Sequence, residues 1–589
     1  MRPKFFVAAL LAVTACGPST KDPALDLMSI DVEPANATLT YTGAPLTLDY
    51  TAIGHYADGH TAPLTDAVFA LDTQGLLLGN MTDATFAASG SAGGKGGVLA
   101  QVGSVVGDTS VAVLVHPVHL GPGVPTTGAS NFPDAPPTTA NSPRIVYPLD
   151  TAIMPASVKS PDVQWEGANA DGDLYRVRIS AGQFATVDSI LAAGPTFKLE
   201  NQLTEADWRM LVRSAGTGPI TVDVAHWNQA SSASGGAPVT VRMVEADVTG
   251  AIYYWNLGQG QMERIDGNGR GPAIKNPPSQ PSTGSRCVAC HTVSHDGRYL
   301  SGSLWGGGLQ GGVFDMSDPA IQTSDPAPTL APVVEGSSYT QLFSTFNQDA
   351  TRLMINVGTA LHVLDPRTGQ QIATQGTPLP TQAAHPAWSP DGSTVAFVNN
   401  ITVGGGAAGW AVDYDRGDLQ IIPVTAPDTF GPATNLVAAS QVSASFAAPS
   451  WPTFSPDSQW IVYAAGTNSR GAAGVTPYPG SLFLINKNGG ATVRLDTACG
   501  GLNLCYLPNF SPYDAGGYYW LVFYSFREYG NALAGTKGKV QRQMWITAID
   551  KSKLGTGGVD ASSVSYWVPD QDVTTNNMSA FWALPPPIN

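Results

Sequence analysis

Five stretches in the C-terminal half of this 589-residue chain share one pattern. They read HTVSHDGRYLSGS (291–303), STFNQDATRLMINV (344–357), HPAWSPDGSTVAFV (385–398), PTFSPDSQWIVYAA (452–465) and PNFSPYDAGGYYWLVFYS (508–525). Each runs from an apolar or aromatic strand through a Ser/Asn-x-Asp-Gly-like turn into a more apolar strand. The turn sets a hairpin, and the apolar return strand has to be covered on both faces by neighbouring sheets. Downstream segments such as ALHVLDPRTGQQI and SLFLINKNGGATVRL add a third strand, a turn and a fourth strand. A spacing of about 40 to 70 residues fits four-stranded blades with variable loops. GAIYYWNLGQGQMERID (250–266) places two strands ahead of the first copy, and SAFWALP, far downstream, reads as an innermost strand with no successors. A ring closed by strands from both ends leaves no free sheet edge, so the expectation is six blades, the last one composite.

The region before residue 250 carries no such repeat. From Leu27 to about Val115 the chain alternates with period two (LTLDYTAIGHYADG, VLAQVGSVVGDTSVAVLV), the pattern of half-buried strands in a small β-sandwich. Residues 117–142 are rich in Pro, Thr and Ser and read as a semi-rigid linker. A second β-rich unit spans 143–249; DLYRVRISAG and PVTVRMVEADV are its clearest strands, and TEADWRMLVRSA predicts a short helix. The fold class is therefore all-β: two N-terminal β-sandwiches followed by a six-bladed β-propeller over 250–589. Sixty-five glycines, 46 prolines and 13% charged residues suit many short strands joined by turns.

Three resemblances accompany these readings. The repeat copies, most specifically the third and fourth, resemble the PD40 or TolB-like β-propeller repeat. YTAIGHYADGHTAPLTDAVF with the ending GDTSVAVLV resembles bacterial Ig-like domains over 27–116, and the 143–249 unit resembles a fibronectin-type sandwich. For the two sandwiches these imply only spacing or adhesion.

At the N-terminus, Arg2 and Lys4 precede the apolar run FFVAALLAV and then Thr14-Ala15-Cys16, the layout of a secretory signal. Val13-Thr14-Ala15-Cys16 resembles the lipobox of bacterial lipoproteins. The resemblance implies a signal over 1–16, lipidation of Cys16, a tether over 17–26, and outer-membrane sorting, since Gly17 rather than an aspartate follows. No later apolar run approaches the ~20 residues of a spanning helix, so the expected attachment to the membrane is by lipid alone. A plain signal peptide is the alternative.

The remaining four cysteines fall into two pairs. Cys499 and Cys505 bracket CGGLNLC, whose glycines allow a short loop to close a disulfide in an oxidising compartment. Cys287 and Cys290 stand in Cys287-Val288-Ala289-Cys290-His291, the CxxCH spacing at which c-type haem is attached. There the thiols add to the haem vinyl groups and the histidine becomes the proximal iron ligand. One covalent haem c, bound through Cys287, Cys290 and His291, is the leading expectation. A Cys287–Cys290 disulfide and a zinc site are the rivals; the zinc site lacks further ligands nearby, and a redox disulfide lacks the strand-to-helix setting of a thioredoxin-like motif.

No helical cytochrome fold surrounds the motif, so a haem would rest on the propeller or in a cleft against the second sandwich. Three residues are candidates for the distal iron position: Met578 first, just before the last inner strand, then His385, which starts another inner strand, then Met316. Open coordination is the fourth option. His295 reads as a solvated hairpin residue. Asp391 and Asp457 read as structural turn residues, the RGD tripeptide at 416–418 as an exposed turn, and Arg527 and Glu528 as lining for a propeller mouth. A net charge of −16 without a basic cluster disfavours nucleic acid, and no hydrolase or nucleotide motif is present. The functional expectation is an envelope-anchored c-type haem protein for one-electron transfer or haem-based sensing, with a redox or envelope protein as partner. The alternative is a haem-free propeller scaffold for a protein or glycan, and a third reading is an envelope oxidoreductase with substrate beside the haem.

Overall fold

A computed structural model describes residues 26–587, apart from 247, 249, 306–309, 337–339, 404–413, 470–471, 474–475 and 478. The signal segment, Cys16 and all but the last residue of the tether lie outside the described residues. By internal contacts the chain forms two compact units, 1–117 with 183–185, and 118–182 with 186–589.

The first unit is built on a sheet ordered Val68–Leu71, Gly94–Val102, Val105–Val115, with Ala37–Tyr41 parallel to the last of these. Period-two alternation works here as anticipated. Val111, Val113 and Val115 turn inward with Val98 and Ala100, while the intervening positions are more exposed. Leu27–Glu33, Thr51–Tyr56 and Thr61–Pro63 form a second sheet of the unit, and Thr47–Asp49, Thr85–Ala88 and Gly79–Thr82 a third.

In the second unit, strands Ala152–Pro155, Val239–Val244, Pro219–Asn228, Leu174–Ala181 and Ala185–Ala192 lie in that order in one sheet. Arg144–Tyr147, Val163–Glu166 and Glu200–Asn201 make a smaller sheet. The predicted helix forms at Glu205–Ala215: Thr204 caps it by accepting from the Asp207 N–H, and Trp208, Met210, Leu211 and Val212 are buried. The stretch expected as a linker is not free chain. Val118–Leu120 pairs with Ala185–Ala192, Phe132 is buried beside Leu174 and Ile190, and the Pro133 carbonyl accepts from Arg176 Nη1 at 2.8 Å. Each proline lacks an N–H to donate to a sheet, but the residues between them pair and pack on one.

Six sheets follow, each led by an inner strand: Val288–Val293, Ser344–Phe346, Ala384–Trp388, Ala448–Phe454, Cys505–Ala515 and Asn577–Ala583 for blades 1 to 6. Each inner strand touches the next, and that of blade 6 touches that of blade 1, so the ring is closed. Blade 6 is composite: Asn577–Ala583 pairs with Ala251–Asn256, which continues to Gln261–Asp266 and Gly269–Pro272. Blades 1 and 2 show three strands rather than four among the described residues. Because a blade is covered on both faces, all six residues of Tyr299–Leu304 are buried. Leu300 and Leu304 pack toward blade 6 with Tyr253 and Met262, and Tyr299 packs toward blade 2 with Phe346 and Leu353.

The repeated turn has a local cause. Ser389 Oγ donates to Asp391 at 2.6 Å and accepts from the Thr394 N–H, while Asp391 accepts from the Ser393 N–H at 2.9 Å. Ser294 with Asp296 and Ser455 with Asp457 repeat the arrangement. Asp391 and Asp457 are thus turn residues, as expected. The RGD tripeptide is not a turn: it lies within the strand Tyr414–Ala426, where Asp418 accepts from the Ala439 N–H at 2.8 Å.

The second sandwich is fastened to blade 5 by a loop around Asn531 and by a shared aromatic core. Asn531, 2% exposed, donates from Nδ2 to the carbonyls of Lys198 and Leu199 at 2.9 Å, with Trp165 at 3.2 Å; its Oδ1 accepts from the Leu533 and Ala534 N–H groups. Gly530 beside it has φ +63°, and a Cβ there would fall 1.9 Å from Gln164 Oε1. Tyr147 of the sandwich shares a core with Tyr529, Trp545 and Trp567 of the blade.

Candidate functional site

The CxxCH segment is inner strand, and it is bulged. Ala289 pairs with Ser303 and Thr292 with Ser301, so Cys290 and His291 together oppose Gly302. The same bulge recurs at His385-Pro386, Trp451-Pro452 and Leu507-Pro508. The first residue of each has a left-handed backbone: φ is 48° at Cys290, 51° at His385, 54° at Trp451 and 47° at Leu507, with 55° at Ser579 in blade 6. Cys290, not His291, is therefore the counterpart of His385. At the bulge the motif divides. Cys290 packs against Leu342 and Phe343 on the side of blade 2, whereas the His291 ring lies 6.5 Å from Phe581 of blade 6.

The ring encloses a cavity of about 170 Å³ on its axis. His291 and His385 both border it; Cys287 and Cys290 do not. Three rings from successive blades cluster on its wall. Phe343 meets His385 edge-on at 4.6 Å and Trp451 at 4.4 Å, and Trp451 stacks on His385 at 4.0 Å. The wall ends at the exposed turn residues His295 and Gln348. No Asp, Glu, Lys or Arg borders the cavity among the described residues.

Both histidines are held neutral and incompletely bonded. His385 is 2% exposed, and burial pushes it down to about 3. Its Nδ1 faces the Trp451 peptide N–H at 3.3 Å and the Tyr414 hydroxyl at 3.0 Å. The Tyr414 hydroxyl also donates to the Pro449 carbonyl at 2.7 Å. The Nε2 of the ring is buried without a partner; an orphaned polar atom of this kind costs about 1–3 kcal/mol. Both ring nitrogens of His291 are likewise buried without a well-aligned hydrogen bond. Burial pushes His291 down to about 4, weakly opposed by the Tyr253 carbonyl nearby.

The other residues singled out from the sequence are not brought to this cavity. Met578 packs against Tyr506, Leu507, Tyr524 and Phe526. Met316 is buried with Met262 and Phe314 in the core between blades 6 and 1. Arg527 does not line a mouth: it is buried, donates to the Ala498 carbonyl at 2.7 Å and lies over Trp545. Cys287 and Cys290 are half-buried, and no cluster of three or more side chains able to ligate a metal occurs among the described residues, so the zinc rival finds no further ligands. Cys499 and Cys505 are fully buried and in contact with each other, and burial pushes Cys505 well up. Sequence reasoning missed Trp451 and Phe343, although Trp451 stands four residues before the turn serine Ser455, as His385 does before Ser389.

Ring and cavity together define a six-bladed β-propeller protein with two buried imidazoles on its axis. Solved structures similar to the chain include TolB from Acinetobacter baumannii, at 10% identity over 75% of this chain and 99% of that one, with a TM-score of 0.36. A putative TolB from Agrobacterium tumefaciens is 16% identical over 52% and 87%, with a TM-score of 0.29, and the hydrazine synthase of Kuenenia stuttgartiensis 15% identical over 51% and 72%, with a TM-score of 0.27. The fold assignment rests on the sheets themselves and not on these partial overlaps. No family model matches the sequence, and no curated protein matches it significantly.

Proposed function

We propose that the propeller carries one covalent haem c through Cys287 and Cys290, with His291 as proximal iron ligand, and serves one-electron transfer or haem-based sensing at the cell envelope. The observation that supports this reading is His291: both its ring nitrogens are buried without a well-aligned hydrogen bond, directly after two half-buried thiols at the attachment spacing. The donor set fits the group: two thiols at the attachment spacing followed by an imidazole. The axial cavity is smaller than a porphyrin and neither thiol borders it, and His291 is the one motif residue that reaches its wall.

The haem supplies the redox-active iron. The chain holds His291 neutral, so its lone pair is available at any physiological pH, and keeps charged side chains away from the cavity. Attachment requires the Cys290 thiol to leave its contact with Phe343. Lipidation of Cys16 and a redox or envelope protein as partner belong to the same proposal; no described helix is long and apolar enough to cross a membrane. Co-expression with haem-maturation machinery, then denaturation and a reduced pyridine spectrum, tests it. A retained haem c spectrum is expected, lost in Cys287→Ala/Cys290→Ala; a denatured wild-type protein free of haem overturns the reading.

A further inference from the structure

Beyond the haem reading and independent of it, we infer that the edge strand Val68–Leu71 of the first unit receives an extended strand from a partner protein, apolar at its centre and basic at its ends. The strand pairs on one side only, with Gly94–Val102. The Asp72 N–H donates to the Gly97 carbonyl at 3.0 Å, which makes Ala70–Leu99 and Val68–Gln101 the hydrogen-bonded pairs of this antiparallel ladder. The N–H and C=O groups of Phe69 and Leu71 therefore point away from the sheet, and among the described residues none of them has a partner. A strand laid alongside bonds to all of them at once.

Edges of this kind are normally blunted by charge or proline. Leu27–Glu33 and Thr61–Pro63, the edges of the second sheet, carry Asp31, Glu33 and Pro63. Val68-Phe69-Ala70-Leu71 has neither. Val68 is 69% exposed, and Phe69 and Leu71, on the face of the buried Ala100 and Val98, are themselves only half-buried. Apolar side chains set opposite Phe69 and Leu71 complete their cover. Charge decides the occupant. Residues 26–117 hold nine Asp and Glu against one Lys, a net of −8 with His neutral, and Asp66 and Asp72 flank the strand. Two copies joined edge to edge would bring two such units together, and with Phe69 facing its counterpart Asp66 falls opposite Asp72. A strand with lysine or arginine at its ends gains attraction where a second copy meets repulsion.

The probes are rhodamine-labelled peptides: KVTVTVK, its acidic twin EVTVTVE, and KVTPTVK, whose proline removes the central N–H. Anisotropy titrations of the whole protein at low salt are expected to show saturable binding of KVTVTVK, at least about tenfold weaker binding of EVTVTVE, and none of KVTPTVK. Asp66→Lys, in the exposed turn before the strand, is expected to weaken KVTVTVK about threefold to tenfold and to strengthen EVTVTVE. In the wild-type protein, hydrogen exchange at the Phe69 and Leu71 amides is expected to slow when KVTVTVK is bound, a readout that needs no variant to fold. Equal binding of KVTVTVK and either other peptide, no saturable binding, or an unchanged preference in Asp66→Lys overturns the inference. So does unslowed exchange at Phe69 and Leu71, or a dimer in ultracentrifugation in which those amides are already protected. Each of these results is read separately from the presence of haem.

Discussion

His385→Phe tests whether the imidazole is as sealed as the packing indicates. In an unfolded chain a histidine takes up its proton near pH 6.5; in the folded ring burial pushes His385 down to about 3. The folded-state value is the lower one, so the unfolded state binds more protons as the pH falls. The contribution is fully present above about pH 6.5 and is lost progressively on acidification toward about pH 3. At about pH 5 the penalty is ~2 kcal/mol, from ~1.4 kcal/mol for each of about one and a half pH units. Phenylalanine occupies the same aromatic cluster and does not titrate. The stability difference between wild type and His385→Phe should therefore move by ~2 kcal/mol in favour of the variant between about pH 7.5 and about pH 5. Asp162, which burial and the neighbouring Glu200 raise to about 7, works in the opposite sense but is common to both proteins and cancels. Urea unfolding followed by circular dichroism at the two pH values measures the difference, with matching slopes as the check that both unfold alike. A difference independent of pH would mean that the folded ring protonates His385 freely, and the sealed, neutral cavity would have to be abandoned.

Asn531→Ala removes the side chain that joins the blade 5 loop to the second sandwich, leaves the Lys198 carbonyl without its donor and the Leu199 carbonyl with the Trp165 N–H alone, and should cost ~2 kcal/mol, read as a lowered Tm. Deleting residues 577–589 takes away the inner strand of blade 6 and exposes an edge on Ala251–Asn256; chromatography should then show aggregation rather than a shortened monomer. Cys16→Ala, if lipid is the anchor, should move the protein from the membrane fraction to the soluble one on cell fractionation.

The blades were legible because their signal is local. The Ser389–Asp391 pairing closes within five residues, and Ser294 and Ser455 repeat it, so a hairpin announces itself in any one copy. The composite sixth blade followed from the need to bury an edge. What the sequence concealed is what the bulges do. His291 and His385 look alike as strand-opening histidines, yet counting back four residues from Ser294 and Ser389 pairs Cys290 with His385, and the extra residue turns His291 and Cys290 toward different blades. Met578 lies inside the last inner strand rather than just before it, and its side chain is taken up by Tyr506 and Tyr524, a packing choice that depends on residues more than fifty positions away. The docking of Asn531 on the Lys198 and Leu199 carbonyls, and of Phe132 on Leu174, is likewise set by partners too distant in sequence to leave a periodic trace.

Ala251 pairs with Ala583, and Phe581 from the same returning strand stands beside His291. During synthesis the five preceding inner strands emerge before the strand that completes the circle. Until it arrives, His291 belongs to an open arc whose flank faces solvent, and the finished ring then covers that flank. The order in which the chain is made thus gives any maturation enzyme that acts on this segment a period of access that ends when the C-terminal strand clicks into place.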